Sequence, residues 1–294
     1  MTNVIQNVID ALALGSLYAL FALGVALIFG IMRLVNFAHG ELIMVGAYAV
    51  VLVSDAPFVV KVGLALVVSV VVALLMERTA IRPVRDADPT TLLITSFAVS
   101  YLLQNLAILI LGSTPKSGQV SATLSESFNI GSVSVSKLDV ATVVVTLVLL
   151  VSLALFLNRT AIGVQMRASA ENFRMARLLG VRADRVIATA FGISGLLAGI
   201  ASVFLVAQTG TVTPTLGLSP VLFAFMATVL GGLGSLSGAV LGGFLLGGAS
   251  VALQATLPLE IREYRDALLF GAVLLVLVLR PQGLVVPRTA VSRI

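Results

Sequence analysis

The chain alternates long apolar runs with short polar joints. The runs fall at 9–32, 37–53, 58–76, 92–111, 140–157, 186–207, 221–233, 239–257 and 267–279. Most approach the roughly 20 residues that an α-helix, rising about 1.5 Å per residue, needs to cross about 30 Å of hydrocarbon. They are continuous and do not alternate with period two, which selects helices over barrel strands. The pattern predicts an all-α polytopic membrane protein with 8–9 transmembrane helices, read as one domain over 1–294. The lower number applies if a short run such as 37–53 or 221–233 is re-entrant, since polar backbone at membrane depth is tolerated only where protein or water lines it.

Two joints are long. Residues 112–139 are rich in serine and include Gly-Ser-Val-Ser-Val-Ser at 131–136, an alternation that predicts a short strand or hairpin in an external loop. This loop reads equally as a partner surface and as a solvated connector. Residues 158–185 are the basic interval, with Arg159, Arg167, Arg174, Arg177, Arg182 and Arg185 against Glu171 and Asp184.

Composition narrows the class. Hydrophobic residues make up 59% and charged residues 11%, and the mean hydropathy is +1.13. A soluble domain is nearer half apolar and a quarter charged. The net charge of +5 lies between apolar runs and not on one soluble face, so no nucleic-acid partner is expected. Basic residues gather at Arg33, at Arg78, Arg82 and Arg85, in 158–185, and at Arg280, Arg288 and Arg293. The positive-inside rule then sets an external N-terminus and a cytoplasmic C-terminus in a multi-pass plasma (inner) membrane protein. The first ten residues lack the basic n-region of a cleaved signal peptide. There is no cysteine, which removes thiolate and disulfide chemistry.

Few residues offer chemistry inside the runs. Asn36, His39 and Glu41 open the second run at the edge of the hydrocarbon, where ionisable groups face a partner or a cavity. They read as a gate or pathway element, or as a helix start with Asn36 as cap and Glu41 on the positive dipole end. Gln104 and Asn105 sit mid-run and Gln208 flanks an external mouth; each is a candidate pathway contact or a bridge between helices. The spacing Gly234-xxx-Gly238-xxx-Gly242, joined by Gly243-xxx-Gly247, strips side chains from one helix stripe for close packing. Gly192-Ile193-Ser194-Gly195 resembles the GxSG of rhomboid proteases, but their activating histidine follows the serine, and the one histidine here precedes it. A second histidine is missing, so no metal site is expected, and no cofactor is assigned. With no phosphate-binding loop in the sequence, any ATP must be bound by another chain.

In the basic interval, residues 165–179 read as a single short helix. Met166, Ala170, Phe173 and Ala176 lie on one side, Arg167, Glu171 and Arg174 on another, and Gly180 supplies a stop. Such a helix docks in a partner's cleft or rests on anionic lipid.

Several motifs resemble one family along the whole chain. They are Leu14-Gly15-Ser16-Leu17-Tyr18-Ala19-Leu20, Asn36-Phe37-Ala38-His39-Gly40-Glu41, Arg82-Pro83-Val84-Arg85, Ala170-Glu171-Asn172 with Leu178-Leu179-Gly180-Val181, Leu230-Gly231-Gly232-Leu233-Gly234-Ser235, and Arg280-Pro281-Gln282-Gly283-Leu284. Together they resemble the permeases of branched-chain amino acid ABC importers. The resemblance implies a type II ABC importer-like permease, working by alternating access beside a second permease subunit in a heterodimer. It also implies two ATP-binding cassette ATPase subunits on the cytoplasmic face and an external substrate-binding protein. Arg167, Glu171, Arg174, Ala176 and Gly180 would then form the ATPase-coupling segment, although Gly180 follows Glu171 by nine residues where the usual importer loop has six. Sister permeases for urea or short-chain amides are the nearest alternative, and an ATP-independent channel or carrier is the other.

Overall fold

The computed structural model describes residues 2–121, 126–130, 133–280 and 283–284. Helices come in the order α1 (Thr2–Met32), α2 (His39–Leu52), α3 (Phe58–Met76), a π-helical turn (Glu77–Ile81) leading into α4 (Arg82–Val84), and α5 (Pro89–Leu111). The strand pair element β1 (Lys116–Ser117) and the hairpin β2 (Ser127–Ile130) and β3 (Val133–Ser136) precede α6 (Lys137–Arg159), α7 (Ala161–Glu171), α8 (Phe173–Leu178) and α9 (Ala183–Thr209). Then follow β4 (Thr211–Val212), α10 (Leu218–Gly231), α11 (Leu236–Thr256), a 3-10 turn (Leu259–Tyr264) and α12 (Arg265–Leu279).

Among the described residues six helices are long and apolar enough to cross a membrane: α1, α3 with its continuation to Val84, α5, α6, α9 and α11. In their most apolar windows α1 and α9 are 78% and 72% buried against 17% for α6, which puts α1 and α9 at the centre and α6 on the rim. Small residues make that centre. Antiparallel α1 and α11 meet where Gly243 faces Ala19 and Gly247 faces Gly15, and α3 and α9 meet where Gly195 faces Ala73 and Gly199 faces Leu66. Without a hydrophobic force between helices in lipid, van der Waals contact between close backbones carries the association.

The expected single glycine stripe divides in three. Gly234 lies outside the helix, in the turn before α11 with φ +85°, beside Gly30. Gly238 and Gly242 face Gly231 and Ala227 of α10, while Gly243 and Gly247 face α1. A helix has 3.6 residues per turn, so adjacent positions 242 and 243 serve different neighbours.

One end of the bundle carries the strands. Gln6 of α1 bonds both backbone groups of Ser134 at 3.1 Å, β2 pairs antiparallel with β3 as the serine alternation predicts, and β1 pairs with β4. The Lys61 ammonium, 5% exposed, donates to the carbonyls of Gln119 (2.7 Å) and Val120 (3.2 Å) and ties this loop to α3. The opposite end carries arginines. Arg82 and Arg85 both pair with Asp184 in the first turn of α9, and Asp86 lies 3.9 Å from both Arg85 and Arg177.

Two short helices break the simple bundle. α2 runs parallel to α9, with His39 beside Ser194 and Gly46 beside Ser202. It therefore begins about 16 Å along α9, at about 1.5 Å per residue, and not at the bundle edge where the second run was expected to open. α10 runs parallel to α1, with Phe223 stacked on Tyr18 at 4.5 Å and the Thr228 hydroxyl 3.5 Å from the Ala22 carbonyl. Residues 33–38 and 213–217 bring the chain to these interior starts without helix. Ser96 of α5 serves the first of these segments: its hydroxyl donates to Leu93 O on its own helix (2.8 Å), accepts from Phe37 N (3.3 Å) and lies 3.4 Å from Val35 O. Irregular backbone inside the bundle persists because protein supplies its partners.

Candidate functional site

The first turns of α2 and α10 meet at a contact between bare backbones. A Cβ on Gly40 would collide with the Gly217 carbonyl, and one on Gly217 would lie 2.5 Å from the Gly40 carbonyl and 2.9 Å from Glu41 N. Each helix N-terminus carries roughly half a positive elementary charge, and here two of them converge inside an apolar bundle.

The polar residues of the second run surround this junction. Asn36, His39 and Glu41 are each at most 1% exposed. Asn36 does not cap a helix; its Oδ1 accepts from Ala38 N at 3.1 Å, a local turn, and its Nδ2 has no partner among the described residues. His39 Nδ1 lies 3.0 Å from Ser194 Oγ, and the ring fills the space left by the missing side chain of Gly24. The only histidine thus reaches the serine of the GxSG motif, but both are buried and the pair joins α1, α2 and α9 as a polar bridge.

Glu41 faces α5. Its Oε1 accepts from Ser100 Oγ (2.9 Å) and Gln104 Nε2 (2.8 Å), whereas Oε2 is buried without a partner among the described residues. A half-satisfied buried carboxyl costs several kcal/mol, which the dipole of α2 only partly offsets. Ser96, Ser100 and Gln104 recur every four residues, so one face of α5 supplies the side-chain hydrogen bonds to this junction from that side. That spacing was readable in the sequence; its partner was not.

Two expected pathway residues lie elsewhere. Asn105 is exposed and donates to Tyr101 O on its own helix. Gln208 lines a cavity of about 620 Å³ at the strand end with Ser54, Ser117 and Gln119. At i+1 from Gln104, Asn105 necessarily points off the α5 face that meets Glu41.

At the arginine end the expected single helix over 165–179 is two. α7 ends at Glu171, and Asn172 caps α8 by accepting from Met175 N at 3.0 Å. A short amide side chain competes for backbone N–H groups and breaks helices in this way. Gly180, with φ +87°, stops the segment as its glycine suggested. Met166 and Ala176 are buried, Ala170 and Phe173 half-buried, and Arg167 and Glu171 exposed, so the expected two sides hold there; the side chain of Arg174 lies outside the described residues. Met175, Leu178 and Leu179 project outward, the leucines 77% and 80% exposed.

Known proteins share this sequence along most of its length. A permease protein of a high-affinity branched-chain amino acid transport system, BraD of Pseudomonas aeruginosa, is 35% identical over 95% of both chains. LivH of Escherichia coli, named for the same kind of system, is 34% identical over 95% of this chain and 94% of its own. A probable LivH of Methanocaldococcus jannaschii is 31% identical over 81% of this chain and 77% of its own. Residues 7–278 match the family described as branched-chain amino acid transport system / permease component. With membrane-length helices packed on glycine, a polar junction sealed inside them and relatives matched almost end to end, the chain belongs to that family of permease components.

Proposed function

We propose that this chain is a permease subunit of an ABC importer that carries leucine, isoleucine or valine inward by alternating access, driven by ATP hydrolysis on partner chains. The observation that carries the reading is the α7–α8 pair, whose exposed Met175, Leu178 and Leu179 form an apolar tip that the described residues leave uncovered. An apolar helical tip ringed by arginines fits a groove on a motor subunit. Arg167, Glu171, Ala176 and Gly180 shape and bear this tip, and Arg174 belongs to the same segment.

By the charge rule the arginine end lies in the cytoplasm and the strand end outside, with the N-terminus external. Counting residues 33–38 with α2, and 213–217 with α10, as interrupted spans, and α12 as a further span beside the six long helices, gives nine crossings. Two ATPase subunits then dock below, a second permease subunit lies alongside in the membrane, and a substrate-binding protein docks outside near the Gln208 cavity. Reconstitution of the chain with its ATPase partners tests this reading. Leucine uptake should require the ATPase and should be lost, with ATP hydrolysis retained, in Glu171→Ala and Gly180→Val. Uptake without the ATPase would make the protein a channel or carrier, and competition by urea but not by valine would move it to the amide branch.

The path passes the α2–α10 junction, where interrupted helices commonly place substrate. Glu41 Oε2 is the acceptor for the substrate ammonium once α5 shifts. Glu41→Gln keeps the bonds to Ser100 and Gln104 and should leave folding intact while lowering leucine uptake at least about tenfold, the size of one charged contact of about 1.4 kcal/mol. Unchanged uptake in this variant would reduce Glu41 to a helix bridge.

A further inference from the structure

A second cavity, of about 450 Å³, opens at the arginine end between the end of α1, the α4–α5 joint and the α7–α8 break. Its size falls within the roughly 300–1,000 Å³ of small-molecule sites. Ile31, Leu92, Phe173 and Ile187 give it apolar lining, and its charged lining residues are Arg33, Arg85, Asp86 and Glu171. Two of the four are already committed, Arg85 to Asp184 and Asp86 to a position 3.9 Å from Arg177. Arg33 and Glu171 form no ion pair among the described residues. Among the described residues the cavity therefore presents one cation and one anion outside any ion pair, on separate elements.

Arg33 is also the one described non-glycine residue with positive φ, +53°, and its N–H closes α1 on Phe29 O at 2.8 Å. Glycine takes this left-handed cap without steric penalty. A cation favoured by the helix dipole can stand anywhere in the last turn. The dipole therefore leaves the strained position unexplained, whereas the cavity accounts for it: from here Arg33 lines the same cavity as the end of α7.

We propose that this cavity binds a free α-amino acid from the ATPase side. The carboxylate takes the Arg33 fork, the ammonium takes Glu171, and a branched side chain lies on Ile31, Leu92 and Phe173. Because Arg33 ends α1 and Glu171 ends α7, the bound molecule ties the coupling helices to the bundle. Import then slows as its product accumulates. The proposal rests on the importer reading above, and the test separates the two.

The assembled transporter, without binding protein, is assayed for radiolabelled leucine binding, and in proteoliposomes for uptake with leucine present on the ATPase side. The expected result is saturable binding and a several-fold slowing of uptake, both removed by Arg33→Gln while uptake without leucine on the ATPase side stays near native. Arg33→Gly, which removes the guanidinium and relaxes the backbone, should behave alike and serves if the Gln variant folds poorly. Binding and slowing that survive both substitutions would overturn the site, as would their absence from a native protein that imports leucine. Slowing that follows the phosphatidylethanolamine content of the vesicle and not leucine would overturn it in favour of a lipid headgroup. Arg33-dependent binding without any leucine import would keep this site and remove the importer reading.

Discussion

Gly217→Val is expected to leave little or no folded permease in the membrane. The backbone at Gly217 is ordinary, φ −67° and ψ −23°, so any loss is steric and not conformational. A Cβ there meets the Gly40 carbonyl group and Glu41 N, all backbone. A flexible side chain could turn away, but these atoms belong to the first turn of another helix. Overpacking typically costs about 1–3 kcal/mol when side chains can yield; with rigid backbone on both sides and two further methyl groups, the cost should exceed that range. Since a whole domain is stable by only about 5–15 kcal/mol, the yield of monodisperse protein and its thermal midpoint should both collapse. Gly248→Ala is the control, because a Cβ there meets nothing within 4 Å. A Gly217→Val protein with native melting behaviour would show that α2 and α10 do not meet.

The second large effect concerns the partner. Leu178→Asp combined with Leu179→Asp should insert normally, because both side chains are exposed among the described residues. Burying a leucine is worth about 1.5–3 kcal/mol, so two of them in the proposed ATPase groove would contribute about 3–6 kcal/mol. Loss of that amount weakens association at least about a hundredfold. Co-purification of the ATPase and leucine uptake should therefore fall together. If the tip only rests on lipid, the ATPase will still co-purify, and the docking assignment fails.

The α5 face and the α7–α8 pair show where legibility ended. Ser96, Ser100 and Gln104 could be aligned on one face by arithmetic, yet nothing in the chain order said that Glu41, some sixty positions earlier, would be their acceptor. Asn105, next in sequence to Gln104, looked equivalent until the helix turned it outward. At 165–179 the amphipathic sides were correct, but hydrophobic periodicity is blind to a single amide that takes over a backbone N–H, and Asn172 split the helix. Arg33 was legible only as a topological charge; its left-handed backbone is a property of the folded chain.

Hydropathy by itself determined a helical membrane protein with a basic interval on one side, because lipid forces every backbone group into local bonds and leaves long apolar helices as the solution. The glycines announced close packing for the same local reason. Which glycines face which helix, and that α2 and α10 start inside the bundle, was decided by tertiary structure alone. Those starts depend on partners distant in sequence: Ser96 for the 33–38 backbone, and Gly217 for the first turn of α2. A short apolar run has the same pattern whether it begins at the membrane edge or midway through, and only the atoms packed against its first turn distinguish the two.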